Sequence, residues 1–155
     1  MKLIPYEKFE INSDLSSVEV AQRIENCTGK KKFFNFSHTH EFSGHVNENA
    51  FEITKNISYR NSFLPVIVGK IKQTDLGTKI TITMRLHPIV ICFMLIWFTG
   101  VGIGCIAFFS IMDEFSLPML IPFGMLIFGI ALVSGGFGIE AAKQKKRLIE
   151  LLSKH

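Results

Sequence analysis

The chain has 155 residues and a formal net charge of +4. About a third of it, residues 88–139, is apolar, which leaves 1–87 for one small polar domain and excludes two. The positive excess does not call for nucleic acid: it lies beside apolar runs, where an anionic membrane surface accounts for it better.

Tyr6, Phe9 and Ile11 read as a first strand with Phe9 and Ile11 on one face, ended by Asn12-Ser13-Asp14. Ser16-Ser17-Val18-Glu19 has capping-box spacing, because the Ser16 hydroxyl can accept from the Glu19 amide while the Glu19 side chain reaches back. The helix it opens runs to about Cys27. Its apolar stripe reads as Val18, Ala21 and Ile24 with Cys27 or Thr28, and Gly29 is a natural stop.

Lys30-Lys31-Lys32 leads into Phe33-Phe34-Asn35-Phe36, which begins a series of strands. Residues 42–46 form the next, followed by the turn-like Asn47-Glu48-Asn49-Ala50. Phe51, Ile53, Ile57 and Tyr59 then alternate with Glu52, Thr54, Asn56 and Ser58, the period-two pattern of a half-buried strand. Pro65 interrupts, 66–72 resumes, and Asp75-Leu76-Gly77 supplies a turn with Gly where φ can be positive. In the last strand, 79–86, Ile80, Ile82, Met84 and Leu86 face one way and Thr81, Thr83 and Arg85 the other. The fold class is α+β: a strand, a helix and an antiparallel meander in 1–87, then a transmembrane helical hairpin and a short basic amphipathic tail.

The hairpin reads as spans at about 88–112 and 117–139, joined by Asp113-Glu114-Phe115-Ser116. In the first, 13 residues are Leu, Ile, Val or Phe. At roughly −0.3 to −0.6 kcal/mol each they contribute about −4 to −8 kcal/mol to insertion, with no charge opposing. Leu86-His87-Pro88 joins strand to span without a linker, and Pro88 suits the first turn of a helix. Gly100 and Gly104 form a GxxxG pair, and Ala131/Gly135 and Ser134/Gly138 repeat small-xxx-small spacing. The plain reading is packing within the hairpin; the sharper one is packing between copies, as a homo-oligomer. Neither span carries Asp, Glu, Lys, Arg or His in its interior, which argues against a proton relay or a charge-lined ion path.

Residues 140–155 hold five Lys/Arg and two Glu. Ala141, Lys145, Leu148 and Leu152, broadened by Leu151, form one face of a tail helix. It reads as a positive-inside stop, or as a helix for a partner or a second subunit. Residues 1–87 hold 12 Lys/Arg against nine acids, and the connecting loop has two acids and no base. The expected arrangement is a multi-pass cell-membrane protein with both termini cytoplasmic, its first span serving as the targeting signal. Cys27, Cys92 and Cys105 lack CxxC or metal-ligand spacing and read as reduced packing residues.

Two clusters could carry chemistry. His38, His40 and His45 could bind zinc. However, His38 and His40 share the parity of Phe34 and Phe36, whereas His45 opposes that of Phe42 and Val46. A turn or strand-end cluster is the plainer reading, and no cofactor is expected. Tyr59-Arg60-Asn61-Ser62 ends the alternating strand and enters a loop. Arg60 offers a planar fork for a phosphate or carboxylate, with Asn and Ser as further donors. This is the preferred locus for a small anionic ligand or a protein partner, the plain alternative being a surface loop. No GxSxG, P-loop, dinucleotide or zincin motif is present, so no enzyme activity is expected.

Ile57-Ser58-Tyr59-Arg60-Asn61-Ser62-Phe63-Leu64-Pro65-Val66-Ile67 with Gly69, then Gly77-Thr78 and Met84-Arg85-Leu86-His87-Pro88, resemble a group of small bacterial two-span membrane proteins of unknown function. Residues 118–128 with Gly135-Gly136-Phe137 are similar as well. The resemblance implies a cytoplasmic α+β domain on a two-helix anchor in an inner membrane, and no activity. Together these features point to a membrane-anchored binding or regulatory module. The alternative is a ligand-gated membrane-perturbing effector or small oligomeric channel subunit.

Overall fold

The β-turn at Asp75-Leu76 organises the sheet. It joins β5 (Val66–Thr74) to β6 (Gly77–Arg85) as an antiparallel hairpin closed by the pair Thr74 and Gly77. Gly77 has φ of 125°, which a side chain would strain. The computed structural model describes residues 4–30, 40–59, 61–111 and 117–153. Around the hairpin it places β1 (Tyr6–Ser13), α1 (Ser17–Asn26), β2 (Thr28–Lys30), β3 (Phe42–Val46) and β4 (Ala50–Lys55). After β6 come α2 (Pro88–Ile111), a 3-10 turn (Leu117–Met119) and α3 (Leu120–Ser153). Phe33–Phe36, His38, Arg60 and the loop acids Asp113 and Glu114 lie outside the described residues.

The chain is an α+β fold. Its sheet has six strands in the order β1-β6-β5-β4-β3-β2. All neighbours are antiparallel except β2 and β3, which run parallel. Ile80, Ile82, Met84 and Leu86 share the buried face as their alternation predicts, each at most 1% exposed. Register lines up Phe9, Ile82, Gly69, Phe51 and Val46 across five strands. The Phe51 ring lies over Gly69, in the space a Cβ would take.

α1 begins with the predicted capping box: Ser16 Oγ accepts from the Glu19 amide and Glu19 Oε2 accepts from the Ser16 amide at 2.8 Å. Ser16 Oγ also donates to Glu19 Oε2 at 2.7 Å, and with the bond from the Ser16 amide it holds Glu19 below the usual carboxylate range. Two details differ from the sequence reading. Val18 is exposed, and Val20 and Ile24 are the fully buried positions of α1. The helix ends at Asn26 with Cys27 as its cap, so Gly29 belongs to β2 rather than to the stop.

α3 covers the rest of the same sheet face. Gly129, Val133, Phe137, Ala141, Gln144, Leu148 and Leu152 form one buried stripe, recurring every three or four residues. Its upper part joins the core that Val20, Ile24 and the sheet build. The helix end is tied down: Ser13 Oγ donates to the Leu152 carbonyl (2.9 Å) and Arg23 Nη1 to that of Leu151 (3.4 Å). Both satisfy orphan C-terminal carbonyls, and Arg23 adds a positive charge where the helix dipole favours one. Lys145 reaches β1, bonding Glu7 at 2.7 Å and lying over the Phe9 ring. Arg147 grips Glu41 with a forked pair at 2.9 and 3.0 Å. A discordant group on this stripe is Gln144, fully buried with neither amide atom bonded.

α2 and α3 are long and apolar enough to cross a membrane. Only 6% and 17% of their most apolar windows are buried, far from what a core helix of a water-soluble protein would show. Ile89, Leu95, Ile96, Ile103 and Ile106 of α2 are all more than half exposed.

Candidate functional site

Residues 56–65 form a connection between β4 and β5. β4 stops at Lys55, four residues before the alternation ends, and beyond it Asn56 still pairs with the chain before β3. Its amide donates to the Glu41 carbonyl (2.9 Å) and its side chain to that of His40 (2.9 Å). Tyr59 therefore stands in a loop and not on a strand. Farther on, Asn61 Oδ1 accepts from the Phe63 amide (3.0 Å) in an Asx turn, and the Leu64 amide closes back on the Asn61 carbonyl.

This loop is clasped to α3. Gly136, Glu140 and Lys143 fall at i, i+4 and i+7 and so share one helix face. The Phe63 ring lies against Gly136, where an added Cβ would come within 2.9 Å of it. The Tyr59 hydroxyl donates to Glu140 Oε1 at 2.9 Å, and Lys143 Nζ approaches the same oxygen at 3.5 Å. Glu140 is the first charged residue after the apolar run, and its side chain is only 8% exposed. Its carboxylate, with desolvation, pushes the Tyr59 phenol above the ordinary tyrosine range, which keeps the phenol a donor at neutral pH.

Of the residues predicted from sequence, Tyr59 and Asn61 shape this clasp, Ser62 is exposed beside it, and Arg60 lies outside the described residues. Glu140, Phe63 and Gly136 were not singled out. An isolated acid at the end of an apolar run was the signal that could have found Glu140. His40 and His45 are exposed and His38 lies outside the described residues; among those described, no group of three His, Cys, Asp or Glu could hold a metal. Gly100, Gly104 and Gly135 meet nothing within 4 Å of a built Cβ, and Ala131 is exposed. The contact between α2 and α3 is made instead at Gly129, against Phe98 and Trp97.

No protein-family model matches the chain, and no curated protein or solved structure matches it. The clasp therefore stands on its own chemistry. Tyr59→Phe removes the neutral donor to a nearly buried carboxylate, and is expected to lower the thermal midpoint by about 2–4 °C. Glu140→Gln, which keeps an acceptor, should cost less than Glu140→Ala. Circular dichroism melts of the three variants in one detergent check the order.

Proposed function

We propose that this protein is a membrane-anchored, non-enzymatic binding or regulatory module. In this reading α2 and α3 cross a cell membrane, both termini are cytoplasmic, and the loop at 59–62 receives an anionic group of a small ligand or protein partner. One observation carries it: α3 runs without a break from its apolar segment into the core of the sheet domain, with Ala141, Leu148 and Leu152 fully buried. With β6 passing into α2 through Leu86 and His87 alone, the domain is held stiffly at both helices. The clasped loop meets α3 at Gly136 and Glu140, where Lys143 adds positive charge near anionic headgroups.

Affinity purification of the intact protein from membranes, with co-purifying proteins and small molecules identified, tests the function. Arg60→Ala should lose the specific partner, and His38→Ala/His40→Ala should keep it. The reverse result, or a metal lost with the histidines, would move the site to the His cluster. Orientation has its own test. A reporter inserted at Ser116 should read outside the cytoplasm and one at the C-terminus inside; a cytoplasmic signal from Ser116 removes the topology.

A second reading, a membrane-perturbing effector or oligomeric channel subunit, is favoured by the open space around Gly100, Gly102 and Gly104. It leaves a close-approach surface free for a second copy. Overexpression with a membrane-potential dye separates the two: depolarisation supports the effector, an unchanged potential the module.

A further inference from the structure

Below the sheet, where β1 and β6 meet the long helices, a cavity of about 220 Å³ opens between α2 and α3. Pro5 and Leu86 form its domain side, Met94 and Phe98 one wall, Val133 and Ser134 the other. The lining is apolar except for one group. Ser134 Oγ is buried and has no hydrogen-bond partner. A helical serine commonly returns its hydroxyl to the carbonyl four residues back. Ser110 does so, to Ile106 at 3.0 Å, and Ser134 does not.

We propose that this cavity is a lipid-chain site: it holds the ester-proximal segment of one acyl chain of a bilayer phospholipid, whose ester carbonyl accepts the Ser134 hydroxyl. The inference rests on the reading of α2 and α3 as membrane spans. Two physical arguments select the occupant. Water needs two to four polar partners, and this cavity offers one. The mouth opens sideways: Ile91, Leu95 and Ile130 line the cavity and are also 41%, 64% and 42% exposed. They belong to the apolar outer surface of the helices, so the medium at the mouth is acyl chain. A chain that enters gains the dispersion contacts an empty void forfeits. It also gives the one orphan hydroxyl an acceptor. The occupant touches Leu86, the buried residue between β6 and α2, and therefore lies against the joint of the domain.

Native mass spectrometry of the full-length protein, extracted from membranes and exchanged into fresh detergent, is the test. Wild type should retain one phospholipid per chain. Ile130→Trp, which blocks the mouth, should retain none. Ser134→Ala should weaken retention of diester phosphatidylglycerol about fivefold. A diether analogue, which lacks the ester carbonyl, should bind Ser134→Ala and wild type alike. Circular dichroism confirms that the alanine variant, which loses only an unpaired hydroxyl, is folded. Lipid retained equally by wild type and Ile130→Trp overturns the site. So does a lipid-free dimer, in which a second copy fills the cavity, or an equal preference for ester and ether lipids in wild type. Alkaline carbonate extraction separates the two failures. A chain released by carbonate sinks the membrane reading itself, whereas a resistant chain without lipid sinks the site alone.

Discussion

Leu148→Ala is expected to destabilise the protein by about 2–5 kcal/mol, a large share of the roughly 5–15 kcal/mol that holds a typical domain together. Leu148 lies on the part of α3 beyond the apolar run, yet it is fully buried in the core shared by α1 and the sheet. Truncation leaves a cavity that the tied helix end cannot collapse into, because Leu151 and Leu152 carbonyls are held by Arg23 and Ser13. Ile149, the next residue, is 39% exposed, and Ile149→Ala should stay within about 0.5 kcal/mol of wild type. Urea unfolding in a fixed detergent measures both. Equal small effects would mean that the tail does not dock on the sheet.

Gly69→Val should be at least as damaging. A Cβ at Gly69 falls within the Phe51 ring, and Phe51 is 2% exposed at the centre of the sheet. The ring must leave, which forfeits about 3–5 kcal/mol, the usual loss for removing a buried aromatic. A two-step comparison isolates the cause. In a Phe51→Ala background the same valine should cost far less, giving a coupling energy of about 1–3 kcal/mol between the two positions. Additive losses would show that the ring over the glycine does not set the tolerance of this site.

Both sites bear on what the sequence could reveal. The capping box at Ser16, the turn at Gly77 and the alternation of Ile80, Ile82 and Met84 are local patterns, and each appears where its chemistry predicts. The apolar helices are legible for the same reason, since length and composition suffice. Other features depend on distant partners. β2 has three residues, too few for a periodic signal, and exists because Thr28 to Lys30 can pair with β3. The alternation through Ile57 and Tyr59 outlasts its strand, which loses β5 as a neighbour after Thr54 and ends at Lys55. Val18 and Val20 are equally apolar, and the packing of α1 on the sheet decides which is buried. In the candidate site, Tyr59 was visible as a polar end to an apolar pattern. Its partner Glu140 lies 81 residues away, a separation no spacing rule bridges.

The unbroken course of α3 has a mechanical consequence. From Glu140 to its end the helix extends about 20 Å at 1.5 Å per residue. Where the lower part crosses a bilayer, its tilt answers to hydrocarbon thickness. A change of about 10° there swings the far end by roughly 3–4 Å, because a rigid rod has no hinge in which to absorb it. The carboxylate fork of Arg147 and the bond of Lys145 to Glu7 carry that displacement to opposite sides of the sheet. In the membrane-spanning reading proposed above, a bilayer that thins or thickens would act on the domain through a lever.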